Sequence, residues 1–167
     1  MLKHIIKTVL FSSCFIVSVE IGIAEEISLK DFSSKMSELL ETAKVECHSI
    51  DGGVLTTRED AVITVDISGD GKLDEVLSHK DLECSTNRYI IGTGGGLLSF
   101  IIDGYVESFN AKAWKLEPQP FEFFPIPVLL LLVHGTYCGT TGIYPCVQAL
   151  IWNDANGQFL TGKEYLH

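Results

Sequence analysis

The spacing of apolar and polar positions changes once along the chain. Over residues 25–46, Phe32, Met36, Leu39, Leu40 and Ala43 recur three and four residues apart, which predicts a helix with a single apolar face. Ser28, with Asp31 three residues on, reads as its N-cap. Past Asp51-Gly52-Gly53 the period shortens to two. Residues 54–57 predict a short strand, 61–67 a strand rich in β-branched side chains, and 75–79 a strand returning beside it. Residues 84–88 are polar and turn-like. A strand over 97–102 runs into Asp103-Gly104, a hairpin signal, and 105–116 alternates loosely, with Tyr105, Phe109 and Trp114 as core or edge aromatics. Residues 128–133 are apolar without a break and predict a central strand buried on both faces. A closing hairpin over 146–159 turns at residues 153–157. The fold class expected is α+β, an N-terminal helix packed on a mainly antiparallel sheet.

The first 24 residues do not belong to that pattern. Lys3 and Lys7 precede a mostly apolar run over 8–19, and Gly22-Ile23-Ala24 places small residues at the −3 and −1 positions of a signal-peptidase site. Residues 1–24 are therefore expected to be a cleaved signal peptide and 25–167 a single globular domain. The apolar run is too short, and too interrupted by Ser12, Ser13, Ser18 and Glu20, for a membrane span. Apolar residues continue after Cys14, which argues against lipidation there. Loss of Lys3, Lys7 and Glu20 with the leader leaves 10 basic and 21 acidic side chains, a formal charge of −11. A chain this acidic has no footprint for phosphate backbones, so nucleic acid is excluded as the expected partner.

Export changes the meaning of the cysteines. Cys47, Cys84, Cys138 and Cys146 remain, an even number that points to disulfides. Three pairings are possible. The short Gly-, Thr- and Pro-containing loop favours Cys138 with Cys146, which leaves Cys47 with Cys84. Spacings to His48, His79 and His134 match no zinc signature.

The stretch richest in candidate chemistry is residues 66–74, Asp-Ile-Ser-Gly-Asp-Gly-Lys-Leu-Asp. Side-chain oxygens of Asp66, Ser68, Asp70 and Asp74 fall at loop positions 1, 3, 5 and 9, and Gly71 at position 6 turns the chain so that the Lys72 carbonyl can point inward. A hard cation such as Ca2+ takes six to eight oxygens, and these five residues supply most of them. Position 12 is Leu77 rather than a bidentate Glu. The remaining ligands must then be waters or a carboxylate from elsewhere in the chain. Residues 66–74 resemble the short calcium loops of calcium-hand-like (EF-hand) and dockerin-type domains, with Ser68 in place of one acidic ligand. The order of a leader, Cys47, the Gly-Asp-Gly-Lys loop, Cys84, a glycine cluster, His134-Gly135, Cys138-Gly139, Pro145-Cys146 and Trp152 also looks like a set of small exported proteins of proteobacteria. Chains of that set often carry a further cysteine pair around the glycine cluster. Ile91 and Gly96 stand there in this sequence, so the resemblance implies that a third disulfide is missing.

Other motifs are weaker. Gly92-Thr93-Gly94-Gly95-Gly96 lacks both the Lys-Ser/Thr ending of a phosphate loop and the following helix of a dinucleotide fingerprint. No nucleophile elbow, catalytic-cysteine context or zinc-protease helix is present. Glu41, Glu46, Glu59, Asp60 and Glu75 could form a glycosidase-like pair only if folding brought two of them together. His134 reads as a hydrogen-bonded histidine at a strand end. Residues 117–127 are rich in Pro and Phe, and Phe121, Phe123 and Phe124, if exposed, would form an interaction patch. The expected function is that of an exported, non-enzymatic binding protein with a structural Ca2+-type loop and a protein or envelope partner. A small secreted hydrolase with carboxylates converged beside the loop is the alternative.

Overall fold

The computed structural model describes residues 32–87, 95–120, 122, 126–142 and 144–161. Its one described α-helix, α1, spans Ser34–Ser49. The cap of this helix is Ser33, whose hydroxyl accepts from the Met36 amide; Ser28 and Asp31, the expected cap and its companion, lie outside the described residues. Met36, Leu40, Ala43 and Cys47 are its buried positions, one per turn, so the expected apolar face is the one that packs.

The expected single sheet divides into two four-stranded antiparallel sheets and a two-stranded ribbon. In the first, β2 (Val62–Val65), β3 (Asp74–Ser78), β5 (Gly96–Ile102) and β6 (Tyr105–Ala111) lie side by side in that order. The second runs β10 (Gln158–Thr161), β9 (Cys146–Asn153), β8 (Val128–Val133), β7 (Ala113–Glu117). The ribbon joins β1 (Leu55–Thr57) to β4 (Leu82–Cys84), so Cys84, expected in a turn, ends a strand. The loosely alternating stretch after Asp103-Gly104 is broken at Lys112, where the chain passes from one sheet to the other; the Lys112 amide donates to the Leu132 carbonyl. Asp103 and Gly104 both take positive φ, 48° and 84°, the pairing that the right-handed twist of a two-residue hairpin favours.

The two sheets enclose one core. Val76, Leu98, Phe100 and Ile102 of the first meet Leu129, Leu131, Val133, Leu150, Trp152 and Phe159 of the second. Phe100 is the hub, with edge-on contacts to Phe109, Trp114 and Phe159 at ring-centroid distances of 6.1, 6.0 and 5.6 Å. Phe109 and Trp114 thus join the core, while Tyr105 stays half exposed against Trp152. On the other face of the first sheet, Met36, Leu40 and Ala43 of α1 pack with Ala61, Leu77, Leu82 and Ile101. The order of layers is helix, sheet, sheet.

This layering corrects the expectation for residues 128–133. β8 is central in its sheet, but only Leu129, Leu131 and Val133 are buried; Val128, Leu130 and Leu132 are partly exposed, because no described residues layer over their face. Among the described strands the one buried on both faces at every position is β3, Asp-Glu-Val-Leu-Ser.

Cys47 and Cys84 are paired with Cα atoms 5.6 Å apart, and Cys138 and Cys146 with Cα atoms 6.5 Å apart. The first pair ties the end of α1 to β4, and the second closes a loop over β9. Ile91, one of the two positions where a third bridge is missing by resemblance, lies outside the described residues. Among the described residues no helix is long and apolar enough to cross a membrane.

Candidate functional site

The loop of residues 66–74 links β2 to β3 and is folded by its own carboxylates. Asp66 accepts from the Gly69 amide at 2.7 Å with Oδ1 and from the Gly71 amide at 3.0 Å with Oδ2. Asp74, at the start of β3, accepts from the Ile67 and Ser68 amides at 2.8 and 3.1 Å. Asp70 takes the Lys72 amide at 2.8 Å and the Lys72 ammonium at 2.5 Å. Gly71 has φ of 86°, which the turn at position 6 requires. Gly69 has a second constraint: a side chain there would come within 2.6 Å of the Pro127 ring.

Two features bear on whether these groups suit a cation. The Ser68 hydroxyl oxygen is buried with no hydrogen bond of ordinary geometry, although it lies near enough to Asp70 to help hold that carboxyl low. An orphaned oxygen at loop position 3 is the kind of group a hard cation satisfies. Against it, the Lys72 ammonium already stands between Asp70 and Asp103, 3.7 Å from the Asp103 carboxylate. Hydrogen bonding to Lys72 holds Asp70 below the usual carboxylate range, and the two carboxylates raise the Lys72 ammonium. Burial pushes Asp74 up, opposed by the two amides it accepts from and assisted by the nearby charges of Asp66 and Asp103. Among the described residues no group of three or more His, Cys, Asp or Glu side chains is gathered closely enough to hold a metal ion.

Asp103 is the residue that sequence reasoning missed. Its one visible signal was Asp-Gly, read as a turn, but the turn delivers its carboxylate to the loop. What the turn brings near the loop is a partner for the Lys72 ammonium.

The loop also borders the proline-rich connection. Val65, Asp66 and Gly69 on one side and Leu116, Pro118 and Pro127 on the other line a shallow depression of about 480 Å3. Phe121, Phe123 and Phe124 lie outside the described residues. The carboxylates considered for hydrolysis are dispersed in role. Glu41 faces Lys44 at 3.6 Å, Glu59 and Asp60 are exposed before β2, and Glu75 is buried, accepting from the Ser33 amide at 2.9 Å and from the Ser33 hydroxyl. Glu75 therefore anchors the start of α1 to the sheet. His134 accepts or donates at Nδ1 to the Thr136 hydroxyl, 2.8 Å away, in the cystine loop.

A second polar line crosses the sheet. His79 Nε2 is 2.9 Å from the Ser99 hydroxyl, which is 2.8 Å from that of Ser108. Burial lowers the His79 pKa, and the Glu46 carboxylate opposes that shift, so the ring is neutral near pH 7. Ser99 is only 1% exposed, which bars it from attack on a substrate.

No family model, curated protein or solved structure matches the chain.

Proposed function

We propose that the protein is an exported, non-enzymatic binding protein whose recognition surface is the depression between residues 66–74 and the proline-rich connection, with Ca2+ stiffening the loop. The observation that carries this reading is the meeting of Val65, Asp66 and Gly69 with Leu116, Pro118 and Pro127 around one shallow hollow. Two segments far apart in sequence share a surface there. An open, proline-walled hollow suits an extended segment of a protein or envelope partner better than a small substrate that must be shut away from water. Two cysteine pairs at disulfide distance are compatible with export.

In this reading Asp66, Ser68, Asp70, Asp74 and the Lys72 carbonyl serve the cation, and Asp103 takes the place of the missing position-12 ligand. The Lys72 ammonium neutralises Asp70 and Asp103 until Ca2+ displaces it. The hollow then keeps its shape because Gly69 packs on Pro127.

A photo-crosslinking residue placed at Leu116 tests the reading. Capture of an envelope partner in Ca2+, reduced at least about tenfold by chelator and by Asp70→Ala, is the expected outcome. Capture unchanged by both would separate recognition from the loop.

A further inference from the structure

The neutral His79 borders a second hollow, of about 370 Å3, on the opposite side of the first sheet, between α1 and the β5–β6 pair. Its volume is within the range of small-molecule sites. Leu39 and Ala43 of α1 and Leu97 of β5 form an apolar wall, and Glu46, Lys80 and Asn110 supply the polar groups.

Two opposite charges, Glu46 and Lys80, face this hollow, and Glu46 acts on the neighbouring His79 only through its field. No ion pair joins Glu46 or Lys80 to any described residue within 4.0 Å, and neither the Glu46 carboxylate nor the Lys80 ammonium has a hydrogen-bond partner among the described residues. The Asn110 side-chain carboxamide, on a residue whose backbone pairs with Leu97, is likewise without a partner among the described residues. The position of Lys80 depends on Gly96. A Cβ at Gly96 would lie 2.8 Å from the Lys80 Cβ and 3.4 Å from its Cγ, so the lysine stem runs over bare backbone. Gly96, the last residue of the glycine cluster, thus clears the floor of the hollow for a cation. His79 is committed through Nε2 to the buried Ser99, which fixes the ring as part of the wall.

We infer that this hollow is a binding site for a small zwitterion with an apolar side chain, a free α-amino acid. Its carboxylate meets Lys80, its ammonium meets Glu46, and its side chain lies along Leu39, Ala43 and Leu97. Charge-assisted hydrogen bonds to both ends select the zwitterion over molecules carrying one charge. The site shares no residue with the calcium loop or the proline-rich hollow, so it stands or falls independently of the proposed function.

The test is an amide NMR titration of the whole oxidised protein with L-leucine, 4-methylpentanoate, which lacks the ammonium, and 3-methylbutylamine, which lacks the carboxylate. Saturable shifts at Lys80, Gly96 and Asn110 with leucine are expected, with each single-charge analogue at least about tenfold weaker. Glu46→Gln and Lys80→Gln, both at exposed positions, are each expected to weaken leucine about tenfold. Amides unmoved by leucine at about 10 mM, or 4-methylpentanoate binding as tightly as leucine, would overturn the assignment. So would unchanged leucine affinity in both variants.

Discussion

β3 and β8 are each flanked by two strands, and their sequences give opposite impressions of where they sit. β8 is Val-Leu-Leu-Leu-Leu-Val, yet one face remains partly exposed. β3 carries Asp74, Glu75 and Ser78 among its five residues, yet all five are buried. The difference is made by what lies on the second face. α1 covers β3 from one side and the second sheet covers it from the other, whereas among the described residues β8 has a layer on its inner face alone. Burial of the polar side chains is tolerated because each has partners: Asp74 two amides, Glu75 the Ser33 amide and hydroxyl, and Ser78 the Asp81 carboxylate at 2.5 Å.

The sharpest way to break this contrast is to truncate one leucine in each strand. Leu77→Ala in β3, at a position with no exposure, is expected to cost about 3 kcal/mol or more, and Leu130→Ala in β8 about 1 kcal/mol, measured by urea denaturation. Equal losses would mean that the two strands are buried alike. Next in size is Glu75→Ala, which removes the acceptor that holds Ser33 and is expected to cost about 2 kcal/mol. Glu75→Gln keeps an acceptor and should recover part of that loss.

A smaller effect is expected at Asp74. Its carboxyl is raised by burial, so the folded protein holds that proton more tightly than the unfolded chain does. The stability it contributes is present below the unfolded value of 3.8 and is lost as pH rises through the raised value. Asp74→Asn removes that dependence, and a chelated sample compared with the parent at pH 4 and pH 7 should show a flatter profile. The smallest effect is at His79. Its pKa is lowered, so the unfolded chain binds the proton first, and stability falls as pH drops below 6.5. A His79→Gln variant whose stability declines over that window as steeply as the parent's would contradict this.

How much of the molecule was legible in the sequence follows from the same contrast. Periodicity located α1 and most strands because burial on one face leaves a repeating mark. It could not reveal a second sheet, since the division rests on one residue, Lys112, at which a loosely alternating stretch turns a corner. It also misjudged β8 and said nothing of how deeply β3 lies, because an exposed leucine and a hydrogen-bonded carboxylate both defeat a rule that equates apolar with inside. At the candidate site, loop spacing named the oxygen-bearing side chains but not that Asp66 and Asp74 are taken up by the loop's own amides. Asp103 was invisible as a site residue because it is 29 positions beyond Asp74 and reaches the loop only through the β5–β6 turn.

Thermal unfolding of the oxidised protein, with Ca2+ titrated against chelator, reads directly whether residues 66–74 hold a cation. A cation bound only to the native state stabilises it by RT ln(1 + [L]/Kd), about 2.7 kcal/mol at 100-fold saturation. The account predicts a saturable rise of that order, abolished by Asp70→Ala and diminished by Asp103→Asn. A melting temperature indifferent to Ca2+ would contradict it, leaving residues 66–74 as a turn closed by Lys72 and its own carboxylates.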